Sequence, residues 1–274
     1  MPGTIRRIPL GCAFLIVSFL IVLAGCAGVP GGNGKTVSSK QVMDIEVPEE
    51  EKKVVSVYKF EDRSIGTSKF KPWQTGIPDM IMQSLSAIPY FKVMSRQYIQ
   101  DQVLAEQQFQ FLGHTDEKSA VELGKLLNAD YIITGAFSVF QDTLQVNARC
   151  ISVESGEIVG QAQAHGELGN FYGLQNRVAV QITENMNLFV SEDAEEMLAE
   201  RTDTTVIEAS LANYEGEEKM EEIAVLEKKG EKEKVEEVKE EAKKDFERAL
   251  DYDKDYEKAK RNLSKLALAI PMTL

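Results

Sequence analysis

The cysteines and histidines, which commonly serve as nucleophiles and as acid–base groups near neutral pH, number five in this sequence: Cys12, Cys26, Cys150, His114 and His165. A general base must lie within hydrogen-bond reach of the group that it serves, and no motif around either histidine supplies such a partner. His114 precedes a predicted helix and His165 lies late in a predicted strand, so both are expected at the surface or at a sheet edge. Cys150 lies in an alternating strand, which favours a small buried core residue over a reactive thiol.

Cys26 differs because it ends a segment with the layout of an export signal. Arg6 and Arg7 precede the apolar run LGCAFLIVSFLIV, and the small residues LAG follow that run closely. A membrane-spanning helix needs about 20 apolar residues, whereas a signal peptide combines a basic start, a shorter apolar core and a small-residue cleavage site. Residues 1–25 are therefore interpreted as a signal peptide. An ordinary signal or an uncleaved helix is the alternative.

The sequence LAGC at residues 23–26 resembles the bacterial lipobox. The resemblance implies signal cleavage between Gly25 and Cys26 and a covalent lipid, including palmitate, on the cysteine; no other cofactor is expected. Several acyl chains on one cysteine make a lasting anchor. Ala27 stands where many inner-membrane lipoproteins have Asp, so we expect a periplasm-facing protein on the outer membrane. Because Cys12 leaves with the signal, no internal disulfide is expected.

Motifs of common enzyme classes are missing from the sequence, which contains no GxGxxG, GxxxxGK[ST], GxSxG or HExxH. Glu61, Asp62 and the acidic residues of the last helices are interpreted as solvated, and no metal site is expected. The sequence therefore predicts that the protein is not an enzyme. A lipid-anchored periplasmic hydrolase that depends on Asp62 or His165 is a minor alternative.

The net charge of the chain argues against one class of partner, and its uneven distribution separates regions of different character. The net charge is −13, and removal of Arg6 and Arg7 with the signal makes it −15. Such a chain offers no basic face to nucleic acid. Residues 191–274 hold 25 acidic and 15 basic side chains, a net charge of −10. We therefore expect four regions: a signal peptide (1–25), a lipidated tether (26–53), an α/β domain (54–190) and a charged helical region (191–274).

The predicted α/β (α+β) domain is a mixed sheet flanked by helices. VVSVYKF reads as a strand, and YFKVMS reads as a second strand, parallel to the first. Between them a helix is expected that has Pro78 in its first turn, has Ile77, Ile81, Leu85 and Ile88 at helical spacing, and stops at Pro89. Ser95 and Thr115 are predicted to begin two further helices. Three antiparallel strands follow, YIITGAFSVF, TLQVNARCISV and IVGQAQAHGE, and a helix from Phe171 closes the domain.

The loop before the first helix contains the only tryptophan of the chain. Its residues Phe70, Lys71, Pro72 and Trp73 form a candidate contact loop. Trp73 is either a plug over the sheet edge or an exposed contact point; the plug is the favoured interpretation.

The helical region has two apolar stripes at helical spacing. One interpretation is a simple hairpin or three-helix appendage. The other is a tetratricopeptide-like unit, because AKKDFERALDYDKDYEKAKRNL resembles the junction of two such repeats. Only about one and a half repeats are present, so the region is expected to lean on the first domain or on a partner.

Several segments together resemble the curli secretion-channel (CsgG) family of outer-membrane lipoproteins. They are VSVYKFEDRS followed by FKPW, VMSRQYIQDQVLAEQ, LGKLLNADYIITGAF and NARCISVESGEIV. The resemblance covers residues 54–167. It implies a periplasmic α/β domain on the outer membrane, and in channel-forming members a ring of subunits that each contribute two long membrane-crossing hairpins.

This sequence departs from the channel-forming members where those hairpins would be inserted. Only Gln141 and Asp142 separate the strands at the first position, and LGNFYG leads directly into a helix at the second. The apolar row of Leu144, Val146, Ala148 and Cys150 alternates with polar residues, as in a sheet with one wet face. We therefore expect a non-catalytic outer-membrane lipoprotein, an accessory or assembly factor whose helical tail binds a periplasmic or envelope protein. The alternative is a ring-forming homo-oligomer within a curli-like export apparatus.

Overall fold

The computed structural model describes residues 47–105, 117–191, 198 and 202–268. Five strands form one mixed sheet in the order β2-β1-β3-β4-β5, in which β2, β1 and β3 are parallel and β3, β4 and β5 are antiparallel. The strands are β1 (Lys53–Asp62), β2 (Phe91–Val93), β3 (Tyr131–Phe140), β4 (Thr143–Ser152) and β5 (Ile158–Glu167). The predicted mixed sheet is confirmed, and β3 and β5 have the predicted bounds.

Seven α-helices are assigned within the described residues. They are α1 (Trp73–Ser86), α2 (Arg96–Ala105), α3 (Glu117–Leu126), α4 (Phe171–Asn185), α5 (Ile207–Lys229), α6 (Lys232–Tyr252) and α7 (Glu257–Leu268). Ser95 caps α2 as predicted, because its Oγ accepts a hydrogen bond from the Tyr98 amide at 3.2 Å. The predicted start of the third helix at Thr115 lies outside the described residues. None of the described helices is long and apolar enough to cross a membrane.

The first helix begins at Trp73, earlier than the sequence predicted. Pro72 has helical backbone angles, and the amides of Thr75 and Gly76 bond to its carbonyl. Trp73 and Ile77, four residues apart, both reach the core, so the apolar stripe extends beyond the predicted start. Pro78 is accommodated inside the helix. The prediction was wrong because Pro78 was assigned to the first turn, whereas the helix begins directly after its N-cap residue, Pro72.

The two faces of the sheet are covered differently. On one face α1 packs over β1 and β2, and α4 packs over β5 and the buried row of β4, where the sulfur atoms of Cys150 and Met186 lie 3.7 Å apart. On the opposite face Glu117 of α3 pairs with Arg149, while Asn147, Gln161 and Gln163 are exposed. The alternation of buried and exposed residues along β4 and β5 is thus that of a sheet with one wet face.

The helical region shares the core of the α/β domain. Helices α5 and α6 form an antiparallel pair, and Leu211 and Tyr214 of α5 belong to the main hydrophobic cluster. A Cβ atom on Gly76 of α1 would lie 2.7 Å from the Tyr214 ring, so glycine permits the close approach of these two helices. The expectation that this region leans on the first domain agrees with these contacts.

Candidate functional site

The predicted lipidation and cleavage residues, Gly25 and Cys26, lie outside the described residues, as does His114. The lipid anchor therefore stays a prediction. Within the part of the chain that the structure describes, no group of three or more His, Cys, Asp or Glu side chains could hold a metal ion.

The candidate contact loop is largely buried. Trp73 is 0% exposed and Phe70 is 6% exposed, whereas Lys71 reaches solvent. The Trp73 ring packs against Phe70 and Phe171 at centroid distances of 5.5 and 5.1 Å, and its Nε1 donates to Ser210 Oγ of α5 at 3.2 Å. The interpretation of Trp73 as an exposed contact point is therefore wrong. Helix α5, the first helix of the C-terminal region, helps to cover its indole ring.

The remaining reactive candidates do not meet. Cys150 is fully buried, and burial raises the pKa of its thiol to about 12, which fits the predicted core role. Asp62 lies on β1 and accepts a bond from the Ser64 amide at 2.8 Å. His165 is exposed on β5. Two strands separate β1 from β5, a distance of roughly 14 Å at the usual strand spacing, so Asp62 and His165 cannot act as a pair.

The turn at Gln141 and Asp142 joins β3 and β4 without an insertion. Phe140 pairs with Thr143, and Gln141 has a positive φ of 53°. The next connection is equally direct, because a single 3-10 turn (Leu168–Asn170) links β5 to α4. The predicted Gly of the β4–β5 turn is also found, since Gly156 has a φ of 74°.

The long open edge of the sheet, β5, is covered by side chains of α4. Arg177 Nη2 donates to the His165 carbonyl at 3.2 Å, Asn185 Nδ2 donates to the Gln161 carbonyl at 2.7 Å, and Gln181 Oε1 accepts from the Gln163 amide at 3.0 Å. We call Arg177, Gln181 and Asn185 the α4 edge ladder. An uncovered strand edge invites pairing with another chain, and this ladder occupies the backbone groups that such pairing would use.

A polar network lies between the helical region and α1, and we call it the Asp79–Lys258 network. Lys258 Nζ of α7 contacts the Asp79 carboxylate, lies 3.1 Å from Glu217 Oε1 and donates to the Tyr214 hydroxyl at 3.0 Å. The same ammonium lies 4.2 Å from the centroid of the Tyr214 ring. Asn262 Nδ2 donates to Glu217 Oε1 at 2.7 Å. The network thus joins α1, α5 and α7.

Burial and charge act in opposite directions on these groups. Burial raises the pKa of Asp79, but the charges of Lys258 and Arg96 more than offset it and hold the pKa below its ordinary value. Burial likewise lowers the pKa of Lys258, whereas Asp79 and Glu217 raise it well above the ordinary range. Both groups are therefore charged at neutral pH, and each depends on the other for its charge.

A second polar contact fixes the middle of α5 over β1 and α2. Glu221 Oε2 lies 2.9 Å from Lys59 Nζ, and its other carboxylate oxygen lies 3.9 Å from Arg96 Nη1. Gln100 Nε2 donates to the Glu221 carbonyl at 3.4 Å. The helical region is therefore held on the α/β domain at several points, and the outer face of α6 is left in solvent.

Sequence reasoning missed the Asp79–Lys258 network because charged residues on helices were assigned to solvent. A weak signal was present: Lys258 and Asn262 interrupt the apolar stripe of α7 at a spacing of four, beside the buried Ala259 and Leu266. Tyr214 and Glu217 have the matching spacing of three on α5. Polar residues that share a face with buried apolar ones indicate a buried contact.

The comparisons with known proteins agree with the predicted family. Residues 36–142 match the model of the family described as curli production assembly/transport component CsgG. The match starts earlier than the segments that suggested it and ends at the β3–β4 turn. No curated protein matches this chain.

Three solved structures are weakly similar to this chain. The C-terminal domain of LpoB from Salmonella enterica is 17% identical, with 47% of this chain and 91% of that chain covered and a TM-score of 0.35. The PelC dodecamer from Paraburkholderia phytofirmans is 12% identical, with 51% and 91% covered and a TM-score of 0.33. Lipoprotein GNA1162 from Neisseria meningitidis is 12% identical, with 42% and 79% covered and a TM-score of 0.30. On its family match, this chain is similar to the CsgG family over residues 36–142.

Proposed function

We propose that this chain is a non-catalytic accessory or assembly factor of the bacterial envelope, anchored by a lipid on Cys26 to the periplasmic side of the outer membrane. It binds a periplasmic or envelope protein through its C-terminal helices. The family segment and the export signal support the location. The absence of a metal cluster among the described residues and the separation of Asp62 from His165 give no support to a catalytic role.

The observation that carries the partner-binding role is the fixed position of the helical region. The Asp79–Lys258 network and the Glu221 contacts hold α5 on the domain, while exposed charges, among them Glu237, Glu240, Lys244 and Glu247, line the outside of α6. A surface presented on a rigid support loses little conformational entropy on binding. Helix α6 is therefore the surface that we assign to the partner.

Copurification from solubilised envelopes tests this assignment. The double variant Glu237→Lys/Glu240→Lys reverses charge on α6, and Glu154→Lys/Glu157→Lys makes the same change at the exposed β4–β5 turn. We expect the first variant to lose a protein that copurifies with the wild type, and the second to keep it. Equal retention or equal loss would contradict the role of α6.

The anchor and the absence of a pore have separate tests. A palmitate analogue should label the wild type and not Cys26→Ala, and membrane fractionation should follow the label. In planar lipid bilayers the purified protein should give no conductance, because two-residue and single-turn connections replace the pore hairpins. Stable channels formed by the purified chain would refute this part of the proposal.

A further inference from the structure

A cleft of about 170 Å³ opens where four helices meet, α1, α2, α5 and α7. This volume is below the range for drug-sized ligands, so it suits a single functional group. Arg96 and Gln97 of α2, Met220 and Glu221 of α5, and Lys265 of α7 are among its lining residues. No residue of α6 lines it, so the cleft is separate from the partner-binding surface proposed above.

The guanidinium group of Arg96 is poorly satisfied at this cleft. Its side chain is only 16% exposed, yet Nη1 lies 3.9 Å from Glu221 Oε1, beyond hydrogen-bond distance, and Nη2 donates to the Thr75 carbonyl at a long 3.4 Å. Glu221 bonds instead to Lys59 Nζ at 2.9 Å. Of the guanidinium nitrogens only Nε is both buried and without a partner, so Nη1 remains accessible. A guanidinium offers five N–H donors, and those of Nη1 are available to an acceptor.

Positive charge is in excess at the cleft. Lys265 is exposed and forms no ion pair with another described residue. Charges more than about 8 Å away are largely screened at physiological salt, so the local balance matters more than the net charge of the whole chain. The charged lining residues, taken with the Lys59 that pairs with Glu221, are four cations and three carboxylates: Lys59, Arg96, Lys258 and Lys265 against Asp79, Glu217 and Glu221.

We propose that this cleft binds a carboxylate group, presented by a partner protein as an acidic side chain or as a chain terminus. Arg96 Nη1 and Lys265 Nζ donate to its oxygens, and Met220 contacts the carbon atoms that carry it. The single charge of a carboxylate matches the excess of one positive charge. A phosphate monoester, at about −1.5 to −2, exceeds it and is repelled by the nearby carboxylates. The proposed function supplies only the protein source of the group; the site itself rests on the cleft.

Ligand-observed NMR on the purified full chain tests the site with two matched pairs of probes. N-acetyl-aspartate amide is compared with N-acetyl-asparagine amide, and N-acetyl-alanine is compared with N-acetyl-alanine amide. We expect the acid of at least one pair to bind at least about tenfold more tightly than its amide, as a hydrogen bond between charged groups implies. The pair with the larger preference identifies a side chain or a chain terminus as the source.

Three variants locate the binding. Arg96→Gln should remove the preference for the acid, and Lys265→Gln should weaken its binding severalfold. Arg261→Gln removes a charge from the same helix as Lys265→Gln, at an exposed position that does not line the cleft, and should change no affinity. Circular dichroism establishes that each variant is folded, and Lys265→Gln provides the second test if Arg96→Gln is not.

Equal affinity for acid and amide in both pairs, the absence of saturable binding, or wild-type affinity in a folded Arg96→Gln variant would overturn the proposal. Equal weakening by Lys265→Gln and Arg261→Gln would also overturn it. Inorganic phosphate separates the classes of anion: weaker binding than the preferred acid supports a carboxylate site, and equal or tighter binding overturns it. Because small probes are used and α6 does not line the cleft, failure here leaves the copurification result unaffected.

Discussion

Replacement of Lys258 by Met is the most informative perturbation of the Asp79–Lys258 network. Methionine keeps much of the length of the lysine side chain but removes its ammonium group. The variant loses the contacts to Asp79, to Glu217 at 3.1 Å and to the Tyr214 hydroxyl at 3.0 Å. Two carboxylates then remain close together without a counter-ion.

The size of the effect follows from burial. The side chains of Asp79, Glu217 and Lys258 are 17%, 15% and 11% exposed. Removal of one partner from a buried ion pair costs about 3–5 kcal/mol. Since the two carboxylates keep some access to water, we expect the lower end, about 3 kcal/mol. That is a large part of the stability of a typical domain, about 5–15 kcal/mol.

Urea unfolding with two probes measures this loss. Circular dichroism follows the helices, and fluorescence of Trp73, the single tryptophan, follows the docking of α5, because Ser210 accepts its indole hydrogen bond. Lys260→Met is the matched control, since Lys260 also lies on α7 but pairs with Glu257 in solvent. Its midpoint of urea unfolding should stay close to that of the wild type, because exposed ion pairs contribute little to stability.

A loss below about 1 kcal/mol in Lys258→Met, well short of the range for a broken buried pair, would refute the reasoning. The double variant Asp79→Asn/Lys258→Met provides an internal check. It removes one unpaired carboxylate, so it should be more stable than Lys258→Met alone. Additive losses from the two single variants would show that the two side chains are not coupled.

The same network predicts the response of stability to acid. The pKa of Asp79 in the folded protein lies below its ordinary value of 3.8, although burial opposes this shift. Its stabilising contribution is therefore fully present above that value and is lost as the pH falls through the folded pKa. In Lys258→Met burial is no longer offset by Lys258, so the pKa of Asp79 rises. The difference in unfolding free energy between wild type and Lys258→Met should therefore shrink as the pH falls towards about 4 and continue to shrink below it. A difference that is constant from pH 7 to pH 3 would contradict this.

Three further predictions concern packing. Gly76→Ala should destabilise the protein by about 1–3 kcal/mol in urea unfolding, because its Cβ would overlap the Tyr214 ring; Gly169→Ala, which has open space, should be neutral, and equal effects would contradict the close approach. Alanine at all three positions of the α4 edge ladder should promote self-association in sedimentation velocity, whereas Glu184→Ala on the same helix should leave the protein unchanged. Cys150 should react with a thiol reagent only after denaturation, because burial raises its pKa to about 12; fast labelling of the native protein would exclude its buried position.

The sheet could be predicted because its signals are local. Alternation with a period of two marks β3, β4 and β5, and the turn at Gln141 and the glycine at position 156 carry the positive φ angles that their connections need. The start of α1 could not be fixed locally, because Trp73 is drawn into the helix by contacts with Phe171 and Ser210. Those partners are about 100 residues or more away in sequence.

The Asp79–Lys258 network could not be predicted from local sequence either, because its members are distant from one another in sequence. Residues 79, 214 and 258 meet only when three helices pack, and in isolation each polar side chain is better solvated by water. The apolar stripes of α6 and α7 predicted that these helices exist, and they predicted which side is buried. They could not show that the buried side of α7 would also carry a charged group, Lys258, in contact with α1 and α5.

The central claim is that the C-terminal helices bind another envelope protein, and in-cell photo-crosslinking tests it most directly. A photoreactive amino acid replaces Glu240 on the exposed face of α6, and the control replaces Glu154 at the exposed β4–β5 turn. The account predicts a discrete protein adduct from position 240 and none from position 154. No adduct from α6, or the same adduct from both positions, would contradict it.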